Sequence, residues 1–190
     1  MASNSAEQRI LDAAKRCIEQ WGFAKVTIDD IAAASGVSRA TLYRLFPGGK
    51  EVLFSALQVR ELTDLFERLT AEADVVDDFE DLVVRLIVAA TRELRSDQHL
   101  ATMLGSEPGE VLGQLTVEGL PRTIRVATEH LTPLVGPYLS ESEATMAIDL
   151  LVRLTISYFL APSDTVDLGD PVSARNFIQP GLAALTFTRT

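Results

Sequence analysis

The densest chemistry in the chain lies between Thr27 and Lys50, in the run TIDDIAAASGVSRATLYRLFPGGK. Within it Arg39, Thr41, Tyr43 and Arg44 fall on the outer side of a helix barely two turns long, with the small Ala40 among them. Leu42 and Leu45 turn inward with Val37. Two guanidinium groups, a phenol and a hydroxyl suit the edge of a duplex. Arginine pairs with guanine or phosphate, and the hydroxyls donate to phosphate oxygens. Other chemistry is hard to find. There is no nucleophile–base pair, no paired carboxylates in a defined motif, no His-x-x-x-His or Glu-x-x-His metal set, and no glycine-rich phosphate loop after a strand. The two histidines, His99 and His130, stand 31 positions apart. No enzyme activity, metal or cofactor is expected.

A helix of that length does not persist alone in water, so neighbouring elements must hold it. Thr27 and Asp30 form a T-x-x-D helix start, whose short polar side chains bind free backbone N–H groups. Ile28, Ile31 and Ala32 follow on one face at helical spacing. Gly36 then allows the left-handed conformation that a sharp reversal needs, and Ser38 caps the next helix. Two helices joined by a glycine turn over residues 28–46 read as a helix-turn-helix, whose second helix enters the major groove. Lys50 opens a further helix, where its charge and the positive end of the helix dipole favour a phosphate. The expected DNA contacts are Thr27, Ser38, Thr41, Tyr43 and Lys50 to phosphate, Arg39 and Arg44 to bases or phosphate, and Ala40 on the same surface.

The segment resembles the DNA-binding domain of the tetracycline-repressor (TetR) family of bacterial transcriptional regulators. The matching pattern is Gly22-Phe23, Thr27-Ile28, Ile31-Ala32, Gly36-Val37-Ser38, Thr41-Leu42-Tyr43, Phe46 and Lys50-Glu51. It covers roughly the first 65 residues. The chain departs from it once: Pro47-Gly48-Gly49 puts three residues between Phe46 and Lys50, where the family usually has two.

The net charge of −10 looks wrong for a DNA binder, but its distribution is uneven. Through Lys50 seven basic residues face five acidic ones, a net +2; the remainder carries ten against twenty-two, a net −12. Phosphate affinity follows the local face rather than the sum, so the acidic remainder should point away from DNA. The lone cysteine, Cys17, excludes an internal disulfide and sits on an apolar helix face as a buried thiol. No signal peptide and no uncharged apolar stretch of about 18 residues is present, which reads as a cytoplasmic protein.

Every segment reads as helix. The expected fold is all-α with about nine helices: a three-helix N-terminal domain over 6–50, and a larger helical ligand-binding and dimerisation domain over 51–190. Residues 1–5 read as a disordered tail and Trp21 as core. The helix from Lys50 to about Ala73 is the natural lever between the two. Ser140-x-x-Glu143 starts a long helix reaching Leu160, and Pro171 to about Phe187 reads as a last helix interrupted at Pro180-Gly181.

The resemblance implies that the last two helices pair with their twins in a homodimer as a four-helix bundle. The apolar positions Ile148, Leu151, Val152, Thr155, Phe177 and Ile178 agree, being part of faces that need more cover than one chain supplies. The alternative is that they are core of the single subunit. The resemblance also implies a pocket for a small effector within the helical body, with Leu86, Met103, Leu104, His130, Tyr158 and Phe159 as candidate lining and a mainly apolar ligand as the default. The function implied is a homodimeric repressor on a palindromic operator in double-stranded DNA, released when its ligand binds. A protein-interaction module is the main rival, and the outward Arg39, Tyr43 and Arg44 argue against it.

Overall fold

Short-range signals set most of the helix boundaries. The computed structural model describes residues 2–73, 78–117 and 119–186, with side chains from Ala6 to Gly181 apart from His99, Glu110 and Gln114. The described residues form ten helices and no strand: α1 (Ala2–Trp21), α2 (Ile28–Ser35), α3 (Arg39–Leu45), α4 (Lys50–Ala73), α5 (Phe79–Ser96), α6 (Gln98–Ser106), α7 (Pro108–Leu115), α8 (Leu120–Val135), α9 (Glu141–Leu160) and α10 (Pro171–Thr186). The all-α expectation holds. Capping boxes open α2 at Thr27 and α9 at Ser140, each pairing a hydroxyl with an acid three residues on.

The chain divides into two compact units, Met1–Leu62 and Thr63–Thr190. The division falls within α4, twelve residues beyond the expected seam at Lys50. The reason is packing: Leu53, Phe54 and Leu57 of α4 join Ile10 and Cys17 of α1, Ile31 of α2 and Leu42 of α3 in one core. Arg60 adds a 2.7 Å ion pair to Asp12, and Lys15 pairs with Glu61. Burial pushes the Cys17 thiol up from its ordinary value. Two expectations fail in this unit. Helix α1 already begins at Ala2. Trp21 is 43% exposed, because the helix ends on it and leaves its ring beside Gln20, Lys25 and Asp30.

In the second unit α8 packs mainly along α9, and both α9 and α10 pack on α5. Val83, Ile87 and Val88 of α5 share a core with Leu168, Ala174 and Ile178. Three arginines strap distant segments together. Arg92 Nε donates to the Gly169 carbonyl at 2.9 Å, Arg95 pairs with Asp167 at 2.7 Å, and Arg175 pairs with Glu80 at 2.7 Å and also with Asp81. Helix α10 runs through Pro180-Gly181 without the expected interruption. Both Asn176 and Pro180 are exposed, so water can reach the backbone carbonyl that proline leaves without its helical donor.

The proposed dimer residues require correction. Ile148 is completely buried within the single subunit, and Val152, Thr155 and Ile178 are also shut inside it; Leu151 and Phe177 are half-buried against the α5 core. The wide apolar character of α9 is used up by the chain's own α8 and α5. Its open face carries Met146 (67% exposed) and Leu150, with Val172 (68% exposed) on α10. Leu182 and Leu185, expected with Val172, Phe177 and Ile178 on the apolar stripe of the last helix, lie outside the described side chains, as does His99.

Candidate nucleic-acid interface

The starts of α2 and α3 are held by hydrogen bonds that each span three residues. The amide and hydroxyl of Thr27 both donate to Asp30 Oδ2, at 2.9 and 2.6 Å, while Thr27 Oγ1 accepts from the Asp30 amide at 3.2 Å. The Thr27 hydroxyl, and then its amide, hold the Asp30 carboxyl below its ordinary value of 3.8. Helix α2 stops at Gly36, whose φ of 66° is left-handed. A Cβ there would touch nothing within 4 Å, so backbone conformation alone calls for glycine. Ser38 Oγ then accepts from the Thr41 amide at 3.2 Å and shares a 3.0 Å hydrogen bond with the Thr41 hydroxyl. Leu42, wholly buried, pins α3 to the core, and Phe46 closes it from below.

After α3 the Pro47-Gly48-Gly49 spacer turns the chain into α4. Gly48 and Gly49 have φ of 128° and 69°. A Cβ on Gly49 would stand 3.3 Å from Tyr43 Cε1, and one on Gly48 would collide with Val52 Cγ2 at 2.5 Å. The second glycine thus lets the Tyr43 ring lie close over the backbone, which fixes where its phenol emerges.

The structure brings the expected contact residues onto one short segment. Thr27, Ser38, Arg39, Ala40, Tyr43 and Arg44 are exposed, Tyr43 by 44%, and Thr41 is half-buried. Arg44 has no ion-pair or hydrogen-bond partner among the described residues. Two basic residues are less free than their sequence positions imply. Lys50 donates to the Phe23 carbonyl at 3.0 Å, approaches the Ala24 carbonyl at 3.5 Å, and sits 5.3 Å from the centroids of both the Phe23 and Phe54 rings. Its ammonium clasps the loop between α1 and α2 first, and only its remaining donor capacity is available to a phosphate. Arg39 forms an ion pair with Asp29 of α2, Nε standing 3.0 Å from Oδ1. Asp29 escaped the sequence reading, because its partner lies ten residues on across the turn, outside any helical spacing.

The candidate effector residues lie inside the second unit. Leu86 and Met103 are buried and the other four half-buried. His130 stacks 6.2 Å from Phe66, with Nδ1 bonded to the Val126 carbonyl, whereas Tyr158 meets Phe177 edge-on at 5.2 Å. A groove of about 500 Å³ lies elsewhere in this unit, floored by Val84, Val88 and Ala89 and rimmed by Arg85, Arg92 and Glu72. None of the six lines it. Thr91 on α5 is fully buried with a hydroxyl that has no partner among the described residues. Among the described residues no three His, Cys, Asp or Glu side chains stand together as a metal site requires, and no helix is long and apolar enough to cross a membrane.

A small core of α1, α2 and the start of α4 displaying α3 across a glycine turn defines a helix-turn-helix protein. Residues 10–57 match the bacterial regulatory proteins of the tetR family. It is 34% identical over 127 residues to the HTH-type transcriptional regulator Rv2250c of Mycobacterium tuberculosis, covering 63% of this chain and 65% of that protein. A second such regulator of that organism, Rv1255c, is 37% identical over 111 residues, 58% of this chain and 54% of its own length. The chain thus matches 65% and 54% of the length of these two relatives. Over 94% of the chain the fold matches the crystal structure of the TetR family repressor AlkX from Dietzia sp. strain DQ12-45-1b, implicated in biodegradation of n-alkanes. The TM-score is 0.71, with 24% identity and 95% of that chain covered. The multidrug binding protein EbrR, complexed with imidazole, matches with a TM-score of 0.63 at 22% identity, over 91% of this chain and 87% of its own.

Proposed function

We propose that the protein is a sequence-specific DNA-binding transcriptional regulator, a homodimeric repressor that a small, mainly apolar effector releases from a palindromic operator. The observation that carries this is the solvent-facing Tyr43 and the unpartnered Arg44 on a helix whose opposite side is anchored by Leu42. A cation left without a partner among the described residues, beside an exposed aromatic, is placed for a polyanion rather than for stability. In a dimer two copies of α3 would enter successive major grooves roughly 34–36 Å apart.

Dimerisation is supported by the open apolar turn Met146–Leu150 on α9 and by Val172 on α10, both on the two helices that the family resemblance assigns to pairing. Leu150→Glu is expected to leave the melting temperature of the dilute protein nearly unchanged and to shift sedimentation toward the monomer. Effector binding is supported by the hydroxyl of Thr91: an unsatisfied buried group costs roughly 1–3 kcal/mol, a cost that a ligand or water accepting from it would remove. Binding energy spent in the second unit would reach the DNA module along α4, which contributes residues to both units, by favouring the state with lower operator affinity.

The direct test is affinity for a duplex recovered from genomic fragments. Arg44→Ala should weaken binding by about 1–3 kcal/mol; an unchanged affinity would remove the basis of the DNA reading.

A further inference from the structure

We propose that Asp29 is a positioning residue that makes Arg39 a reader of guanine rather than an anchor on phosphate. The inference rests on α3 facing DNA, as proposed above, and goes further by assigning one residue its target. A guanidinium has two forked edges that can grip an acceptor pair, one through Nε and one through its two terminal nitrogens. Asp29 Oδ1 stands 3.0 Å from Nε as an ion pair, so the edge that carries Nε already faces a carboxylate. The terminal fork is left as the free bidentate edge, the geometry that fits guanine O6 and N7.

Charge decides between base and phosphate. A lone arginine is drawn to phosphate, which carries a full negative charge. With Asp29 in contact, the pair is close to neutral, and an approaching phosphate also meets a carboxylate. Guanine O6 and N7 are neutral acceptors and pay no such repulsion. Both side chains are 62% exposed, so the pair is weakly held in free protein. Docking on a duplex would remove that water and strengthen both the pairing and its rejection of anions. Asp29 also lies in the first turn of α2, where an acid favours the helix dipole, but Asp30 holds the same turn with its own cap bonds.

The experiment uses the full chain as wild type, Asp29→Asn, Asp29→Glu, Arg39→Ala and the Asp29→Asn/Arg39→Ala double variant. Each is titrated over a range of salt against the duplex recovered from a random pool, its single-base variants and a scrambled duplex. Wild type should prefer guanine at one position of each half-site. Asp29→Asn should bind the scrambled duplex more tightly, with a salt slope steeper by about 0.9 per half-site. It should also lose about tenfold of the guanine preference. Asp29→Glu, which keeps the charge, should retain the wild-type slope, and the double variant should match Arg39→Ala. A helix-start role for Asp29 would change melting but neither base preference nor salt slope. If Asp29→Asn keeps both at wild-type values while Arg39→Ala loses the preference, the inference is overturned and the DNA reading stands. If Arg39→Ala also changes nothing, Arg39 contacts no DNA and the inference falls with that assignment.

Discussion

The turns of the recognition surface and the body of the second unit hold their polar groups in different ways, although Arg60–Asp12 and Lys15–Glu61 tie distant parts of the first unit as well. In Met1–Leu62 the bonds that shape the recognition surface join near neighbours: Thr27 with Asp30, and Ser38 with Thr41. All four positive-φ glycines of the described residues, Gly22, Gly36, Gly48 and Gly49, also lie there. In Thr63–Thr190 the straps run between residues 77, 72 and 95 positions apart, from Arg92 to Gly169, Arg95 to Asp167 and Arg175 to Glu80. A surface that must present a few side chains in fixed register is built from rigid local turns. The second unit is tied by longer-range pairs near its surface, each individually weak, and it contains the buried hydroxyl of Thr91, which has no partner among the described residues.

Four substitutions or conditions would break or sharpen that contrast. The largest effect is expected from Leu42→Ala, which empties the fully buried anchor of α3 and should cost about 2–5 kcal/mol. Thermal unfolding should show it, and duplex binding should fall with it. Next comes Gly48→Ala. Its Cβ would press on Val52 at a φ of 128°, and about 1–3 kcal/mol of strain should appear as a lower melting temperature. Thr91→Val goes the other way. Replacing the orphan hydroxyl by a methyl group of similar shape should leave stability unchanged or raise it by about 1 kcal/mol. If Thr91 serves an effector, the same change should weaken release from DNA; a loss of stability would mean that the hydroxyl is satisfied in solution.

The smallest effect is acid dependence. Asp30 has a folded-state pKa below its ordinary value of 3.8, through the Thr27 hydrogen bonds. Asp167 is likewise lowered, by the Gly169 amide and then by Arg95. Each contributes stability that is present above 3.8 and is lost as pH falls through the folded value. Asp30→Asn should flatten the acid limb of the melting curve for the first unit, and Asp167→Asn that for the second.

The same contrast explains what was legible in the sequence. The helix-turn-helix could be read almost residue by residue, since Thr27, Gly36, Ser38 and Leu42 act within a turn or two of themselves. All-α architecture and most helix ends followed from periodicity and caps. Tertiary partners were hidden. The Asp29–Arg39 pair crosses a turn, and Lys50 reaches back to the carbonyl of Phe23, 27 positions away. The apolar breadth of α9 identified a helix buried on two sides without saying that α5 and α8 cover Ile148 and Val152 while Met146 and Leu150 stay open. The neighbours of the candidate effector residues were the least legible. Leu86, His130 and Tyr158 are ordinary helix-face residues, and only three-dimensional packing gives His130 to Phe66 and Tyr158 to Phe177.

The central claim is that the face of α3 is pressed against duplex DNA in two copies. Its most direct test is selection of bound duplexes from a random pool by the full-length protein, alongside the Arg39→Ala/Arg44→Ala double variant. The expected result is an inverted repeat whose half-site centres lie about one helical turn, or a multiple of it, apart, enriched by wild type and not by the variant. Enrichment of no motif, or of the same motif by both proteins, would contradict it.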